Sequence, residues 1–410
     1  LKPSELLQLT CASEFGSLCK EWLSLAADLE NTSYFQTPDW VLSWWNTVGD
    51  QPFTLIATWR SESGQLEAIA LLSRVRERLN RRGNLAVPVW ANTGSGPGAA
   101  DHCGWLARPN RIAAVRDWLL RQSPKGTLLF RSMDPEVSAQ IGSVARAVRR
   151  TACPRLHIPS DGSEVVPSSS FRQQLRSRGR KLKAAGVAFR WVDPPEMDER
   201  MLELLASLHQ ARWRAKSASS NFTLDQIDLH RGLIQRSSAG RGPAAVVAEY
   251  QDQVIGILYG FWWKDVFAYY QLGWNPDWAQ YSLGTILLQQ GIEMTRCRGG
   301  RVFDFLRGSE PFKYHFGARD RIDTTWLAPR GLSGPILIIA FRVRELLRSI
   351  QARNRRTERP RRIHAHTREG YLHRDAGGHE ETCKDAGIAI ELSHIAHEQH
   401  HQHQAEGANI

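Results

Sequence analysis

The sequence predicts an α/β protein with a mixed sheet, arranged as two lobes. Three observations carry that expectation. Strand-like alternation and helical periodicity follow one another along most of the chain. At 410 residues the length suits about two domains. A stretch rich in Ser, Pro and Gly at 159–170 divides the folded part near its middle. The expected division is a first lobe at 1–160, a linker at 161–170, a second lobe at 171–335, and an amphipathic basic segment with a low-complexity tail at 336–410.

Composition narrows the class. Hydrophobic residues make up 42% of the chain, enough to bury cores, but no apolar run approaches the roughly 20 residues of a membrane-spanning helix. Residues 1–30 do not read as a signal peptide, because polar and acidic residues rather than an apolar block follow Lys2. Six scattered cysteines without a Cys-x-x-Cys pair fit free thiols in a reducing cytoplasm better than a disulfide framework or zinc site. The expected location is cytoplasmic, with peripheral contact at the inner membrane face left open. A net charge of +11 implies attraction to polyanions: cofactor phosphates, nucleic acid, sugar nucleotides or anionic lipid.

Residues 1–50 read as mostly helical. Leu18, Trp22, Leu25, Ala26 and Leu29 recur at helical spacing, and Thr37-Pro38-Asp39 looks like a second helix start. Trp40, Trp44 and Trp45 are expected in the core. Strands at 53–59 and 66–72 form a hairpin, with short strands at 85–90, 104–106 and 127–130. Helices are expected at 112–120 and 137–150. Beyond the linker, the helix 171–186 carries Arg172, Arg176, Arg178, Arg180, Lys181 and Lys183 and no acid. It is either a solvated face or a contact for an anionic partner. A strand at 187–192 and helices at 201–215 and 223–237 follow, with Leu205, His209 and Trp213 four residues apart. Strands at 244–250, 253–263 and 266–274 form a meander, Ser282 caps a helix to about 298, and 301–306 is the next strand.

That last order suggests chemistry. A strand, a helix and a second parallel strand leave a cleft at the strands' carboxyl ends. The helix start at Ser282, Leu283, Gly284 and Thr285 offers free N–H groups and partial positive charge, which suit a pyrophosphate. If the strands splay, backbone N–H groups at Gln271, Leu272 and Gly273 are placed to hold a carbonyl and its developing oxyanion. Asp304, Arg307, Glu310 and Lys313 crowd the turn after the second strand. They read either as catalytic groups or as a structural ion-pair cluster.

Several stretches then act together: Thr37-Pro38-Asp39-Trp40 with Trp44-Trp45, Asp101-His102, the basic helix, Leu208-His209 with Arg212-Trp213 and Phe222, and Ser282-Leu283-Gly284. The most specific is Asp304-Phe305-Leu306-Arg307-Gly308-x-Glu310-x-x-Lys313. Over about 30–330 the chain resembles the CelD-like branch of the GNAT (acyl-CoA N-acyltransferase) superfamily, related to the FemAB peptidyltransferases. It departs at Leu283, where relatives often carry proline. The resemblance implies two tandem GNAT-like lobes, the second holding the active cleft. It implies acetyl-CoA or another acyl-CoA as donor, no metal, and an amine acceptor on a small molecule, peptide or glycan such as an envelope or exopolysaccharide precursor. Glu310 is then the first choice for general base and Asp304 the second, with Arg307 and Lys313 binding anionic substrate or holding the carboxylates. His209 is a further catalytic candidate. Two alternatives stand beside this: a FemAB-like aminoacyltransferase using charged tRNA, and a catalytically silent GNAT-fold binding protein.

From 341 to 374 there are eleven arginines against three acids, so this stretch is expected to meet nucleic acid or anionic lipid, with 353–362 disordered. His397-Glu398-Gln399-His400 and its next residue His401 fit the His-Glu-x-x-His pattern. The low-complexity setting favours adventitious metal binding over a peptidase.

Overall fold

Alternating apolar strands dominate the chain, and they assemble into one sheet. The computed structural model describes residues 2–10, 16–47, 51–80, 85–96, 100–123, 125–142, 145–163, 165–214 and 224–357. The strands are β1 (Glu5–Leu9), β2 (Thr54–Arg60), β3 (Leu66–Arg78), β4 (Ala86–Asn92), β5 (Leu106–Ala107), β6 (Leu128–Met133) and β7 (Arg146–His157) in the first half. The second half adds β8 (Ala188–Val192), β9 (Arg241–Tyr250), β10 (Gln253–Trp263), β11 (Val266–Trp274), β12 (Val302–Asp304) and β13 (Arg319–Ala328). Helices α1 (Gly16–Asp28), α2 (Pro38–Thr47), α3 (Ile112–Asp117), α4 (Pro135–Ile141) and α5 (Ser169–Ala184) are followed by α6 (Glu199–Arg214) and α7 (Leu224–Gln235). α8 (Leu283–Cys297), α9 (Pro311–His315) and α10 (Ser333–Thr357) complete the described helices.

The sheet runs β1-β2-β3-β4-β6-β13-β7-β12-β11-β10-β9-β8, with β5 beside β3. Its two halves repeat one plan. Each has a strand, two helices, a three-strand meander, a helical crossover, a strand parallel to the last of the meander (β6 beside β4, β12 beside β11), a short helix and a closing strand. The fold is therefore α/β with two tandem lobes. The closing strands are interleaved: β13 lies between β6 and β7, and β7 lies between β13 and β12. Each lobe's last strand thus pairs across to the other lobe.

Trp40, Trp44 and Trp45 are buried as expected. Around them Phe261 gathers Tyr34, Phe35, Trp40 and Tyr270 at ring-centroid distances of 5.0–5.7 Å, so this core draws on both halves. On α5, Leu175 and Leu182 are buried while Arg176, Arg180, Lys181 and Lys183 face solvent.

Three local expectations fail. Residues 5–9 are an edge strand on β2, not helix. The helix expected at 137–150 stops at Ile141, and the chain from Arg146 is strand. Both edges of that strand are paired, by β12 and β13, so tertiary pairing overrides a local sequence compatible with helix. Residues 353–357 continue α10 rather than being disordered. Phe222, residues 358–362 and the pattern at His397–His401 lie outside the described residues.

Candidate active site

Strands β11 and β12 pair in parallel at only three positions, Val266↔Val302, Phe267↔Phe303 and Ala268↔Asp304. Beyond them the two strands part. The chain after β12 follows β7, with Phe305 N–H donating to the Pro154 carbonyl and Gly308 N–H to that of Ala152, both at 2.9 Å. β11 instead stays with β10, where Gly260 pairs with Tyr269 and Tyr259 with Gln271, leaving Tyr270 as an extra residue. Such a bulge bends and twists its strand, which accounts for the opening at this point. Gly260 permits it: a Cβ there would stand 2.2 Å from the Ala268 carbonyl oxygen.

The bulge turns neighbouring tyrosines to different cores. Tyr270 joins the Phe261 cluster, while Tyr269 stacks on Phe303 and meets Phe305 edge-on. Burial drives the Tyr269 hydroxyl up to about 12, with Arg212 opposing and Glu310 adding to it. Along the opened edge, Arg212 Nη1 donates to the Leu272 carbonyl (3.1 Å), and its guanidinium lies 5.9 Å from the centre of the Trp274 ring. Arg212 Nε is buried without a hydrogen-bond partner among the described residues. An unpaired buried donor at the opening is the kind of group that meets a ligand. In the sequence Arg212 was visible only as part of a charged and aromatic cluster.

The residues expected to bind a donor are spread along this edge and at the start of α8. Gln271, Leu272 and Gly273 lie on the opened part of β11. Gly273 serves packing: a Cβ would stand 2.8 Å from the His209 backbone nitrogen on α6. Gly284 does likewise, since a Cβ would stand 2.9 Å from Trp274 Nε1. Ser282 occupies the N-cap position, but not through its hydroxyl. It is left-handed (φ 55°), its side chain makes no cap bond, and its carbonyl accepts from Thr285 N–H and Ile286 N–H. Leu283 is fully buried and anchors the helix start.

The charged turn is closed by long-range partners. Asp304 accepts from Arg155 Nε and from the Leu306 N–H (2.8 Å), and its Oδ2 lies 3.0 Å from His102 Nε2. Burial alone would raise its pKa, but Arg155 and His102 hold the carboxyl well below the usual range. On its other side His102 Nδ1 meets Asp323 Oδ1 at 2.9 Å, and its backbone N–H donates to Asp323 Oδ2 at 2.6 Å. Burial disfavours the imidazolium, yet Asp323 and Asp304 outweigh it and push His102 up to about 10. His102, Cys153 and Asp323 present potential metal-ligand atoms within 4.8 Å of one another, but the imidazole already bridges two carboxylates.

Arg307 is similarly bound. Its Nε donates to Asp101 Oδ1 (2.7 Å), its backbone N–H to Asp101 Oδ2 (3.1 Å), and Nη2 to the Ala100 carbonyl (2.6 Å). Lys313, 2% exposed, donates to the carbonyls of Leu306, Arg307 and Gly308 at 3.3, 2.8 and 3.0 Å. Its Nζ also lies 2.7 Å from Glu310 Oε2 as an ion pair without hydrogen-bond geometry. Gly308 (φ 107°) is required here, because a Cβ would stand 2.4 Å from Glu310 Oε1. The turn thus brings Asp304, Arg307, Glu310 and Lys313 together but divides their partners. His209 stands apart on α6: its Nε2 accepts from Trp213 Nε1 at 2.8 Å. A depression of about 440 Å³ between α2 and α7, lined by Ser43, Thr47, Asp228 and Arg231, involves none of these residues.

Residues 169–314 match the family model for the acetyltransferase (GNAT) domain, which spans α5 through the charged turn. The match covers most of the second lobe. It marks the protein as an acyltransferase. No curated protein sequence matches it significantly. Among solved structures, FemX is 8% identical with a TM-score of 0.52, over 79% of this chain and 97% of that one. The C-terminal domain (DUF2156) of a proposed lysylphosphatidylglycerol synthetase from Agrobacterium fabrum is 12% identical, with a TM-score of 0.50, over 81% and 97%. A tandem GNAT protein from the clavulanic acid biosynthesis pathway is 14% identical over 80% and 99%, with a TM-score of 0.41. The first two likenesses extend the shared fold beyond the matched segment to most of the described chain.

Proposed function

We propose that this GNAT-type protein transfers an acyl group from an acyl-CoA to an amine, on an envelope or exopolysaccharide precursor as in the CelD-like branch it resembles. The observation that carries the reading is the opening between β11 and β12, built by a bulge and followed at once by the start of α8. The thioester carbonyl would sit against the freed backbone of Gln271 and Leu272. The pyrophosphate would meet the N–H groups of Leu283 and Gly284, assisted by Arg212. The glycines of this region are then packing residues rather than room for phosphate.

Glu310 is the proposed general base. Lys313 gives it a counter-charge while directing hydrogen bonds to three carbonyls, which leaves the carboxylate able to accept a proton from the attacking amine. Asp304 and Arg307, locked by His102, Arg155 and Asp101, are proposed to fix the turn instead of reacting.

The test is titration with CoA and acetyl-CoA, then mass spectrometry of candidate amines. Saturable binding and an acylated product are expected, and Glu310→Gln should lower kcat by about 10²–10⁴-fold in folded protein, with a lower melting temperature because buried Lys313 loses its counter-charge. Folded protein indifferent to both CoA species would overturn the reading. Release of an amino acid from charged tRNA would favour the FemAB-like alternative, which the exposed cations of α5 suit. Nucleic-acid binding without transfer would leave the silent alternative.

A further inference from the structure

Helix α10 carries two different faces. Along its sequence Arg342, Arg344, Arg348, Arg353, Arg355 and Arg356 meet a single acid, Glu345. One side is anchored to the sheet. Leu337 is buried against Val89, Leu129 and Leu327, with Ile338 and Phe341 packed beside it. Arg344 Nη1 reaches Glu77 at 3.4 Å, and Nη2 bonds the Arg78 carbonyl. On the other side Ile336, Ile339, Val343, Leu346, Leu347 and Ile350 recur at helical spacing, each 43–63% exposed. Leu332, at the foot of the helix, is 90% exposed. At about 1.5 Å per residue the stripe is roughly 21 Å long.

We propose that α10 seats this stripe in the interfacial layer of an anionic lipid bilayer. Charge selects the occupant. The helix carries six arginines to one acid, and the sequence continues with Glu358 followed by Arg359, Arg361 and Arg362. Arg146 and Arg150 of β7, the strand whose Val148 packs with Leu337 of α10, are exposed. A second copy would satisfy the three-and-four spacing, but it would press two strongly basic helices together. A nucleic acid would answer the arginines and leave the stripe in water. A bilayer surface with anionic headgroups answers both, accepting apolar side chains beneath and cations at headgroup level. No described helix is long and apolar enough to cross a membrane, so the contact is a surface one. This inference is independent of the acyl-transfer reading.

The experiment is co-sedimentation of the full chain with vesicles of equal parts phosphatidylglycerol and phosphatidylcholine, and with pure phosphatidylcholine, alongside light scattering without lipid. The comparison protein is the double variant Val343→Glu, Leu346→Glu. Both positions are half exposed or more, so its melting temperature should match the parent. Binding to the anionic vesicles is expected, weakened at least about tenfold in the variant and on neutral vesicles. Three results would overturn the proposal: no binding to anionic vesicles, equal binding by the double variant, or a lipid-free dimer that the variant converts to monomer.

Discussion

Asp304 and Glu310 are six positions apart and share a turn, yet their surroundings assign them different work. Asp304 sits in a run of alternating charge, Asp323–His102–Asp304–Arg155, closed to water at its centre. Such a run is sensitive to losing one member, because a buried charge is then uncompensated, at a cost of about 3–5 kcal/mol. Its pH dependence follows from His102, held at about 10 against an ordinary 6.5. A raised value means that the folded chain binds the proton more tightly. The stabilisation is therefore complete below about pH 6.5 and disappears as pH rises toward about 10. The melting temperature should fall along that alkaline limb. His102→Gln should melt lower at pH 6 and show a flatter limb; parallel curves for the two proteins would remove His102 as the cause.

Among elements, the β10–β11 pair decides where the sheet opens. Gly260→Ala forces a Cβ against the Ala268 carbonyl and the Phe267 ring, so it should destabilise by about 1–3 kcal/mol and lower the melting temperature. Gly179→Ala is the contrast. It lies inside α5 with nothing within 4 Å of the added carbon, and should stabilise by about 0.5–1 kcal/mol. Equal shifts in calorimetry would show that the bulge is not sterically required. The meander, the basic helix and α8 were legible because their periodicity is long and their turns are marked, as at Gln251-Asp252 and Lys264, all with positive φ. The bulge was not legible, since it depends on which residue of β10 faces Tyr270. The 146–157 strand was hidden for a related reason: its partners lie far along the chain. The signature turn could be read as a unit, but Asp101 and Asp323, which close it, are separated from their partners by 206 and 221 positions. Asp101-His102 stands out in the sequence, but its partners do not.

At the scale of the molecule, the repeat of the two lobes emerges from element order, whereas the exchange of closing strands does not. Local patterns state what is a strand, not which edge it finds. The exchange makes the lobes interdependent. A fragment of residues 1–160 should therefore lack a cooperative thermal transition and fixed aromatic signals in near-ultraviolet circular dichroism, while the full described chain unfolds as a unit. A sharp transition in the fragment would contradict this.

The interleaving also sets a birth order. As the chain leaves the ribosome, β7 emerges with neither neighbour yet made, because both β12 and β13 lie in the second half. Until residues 302–328 follow, both its edges are open to any other extended segment nearby. Completion of the first lobe thus waits on almost the last strand synthesised, and slow translation through the second lobe should be when the nascent chain most needs a chaperone.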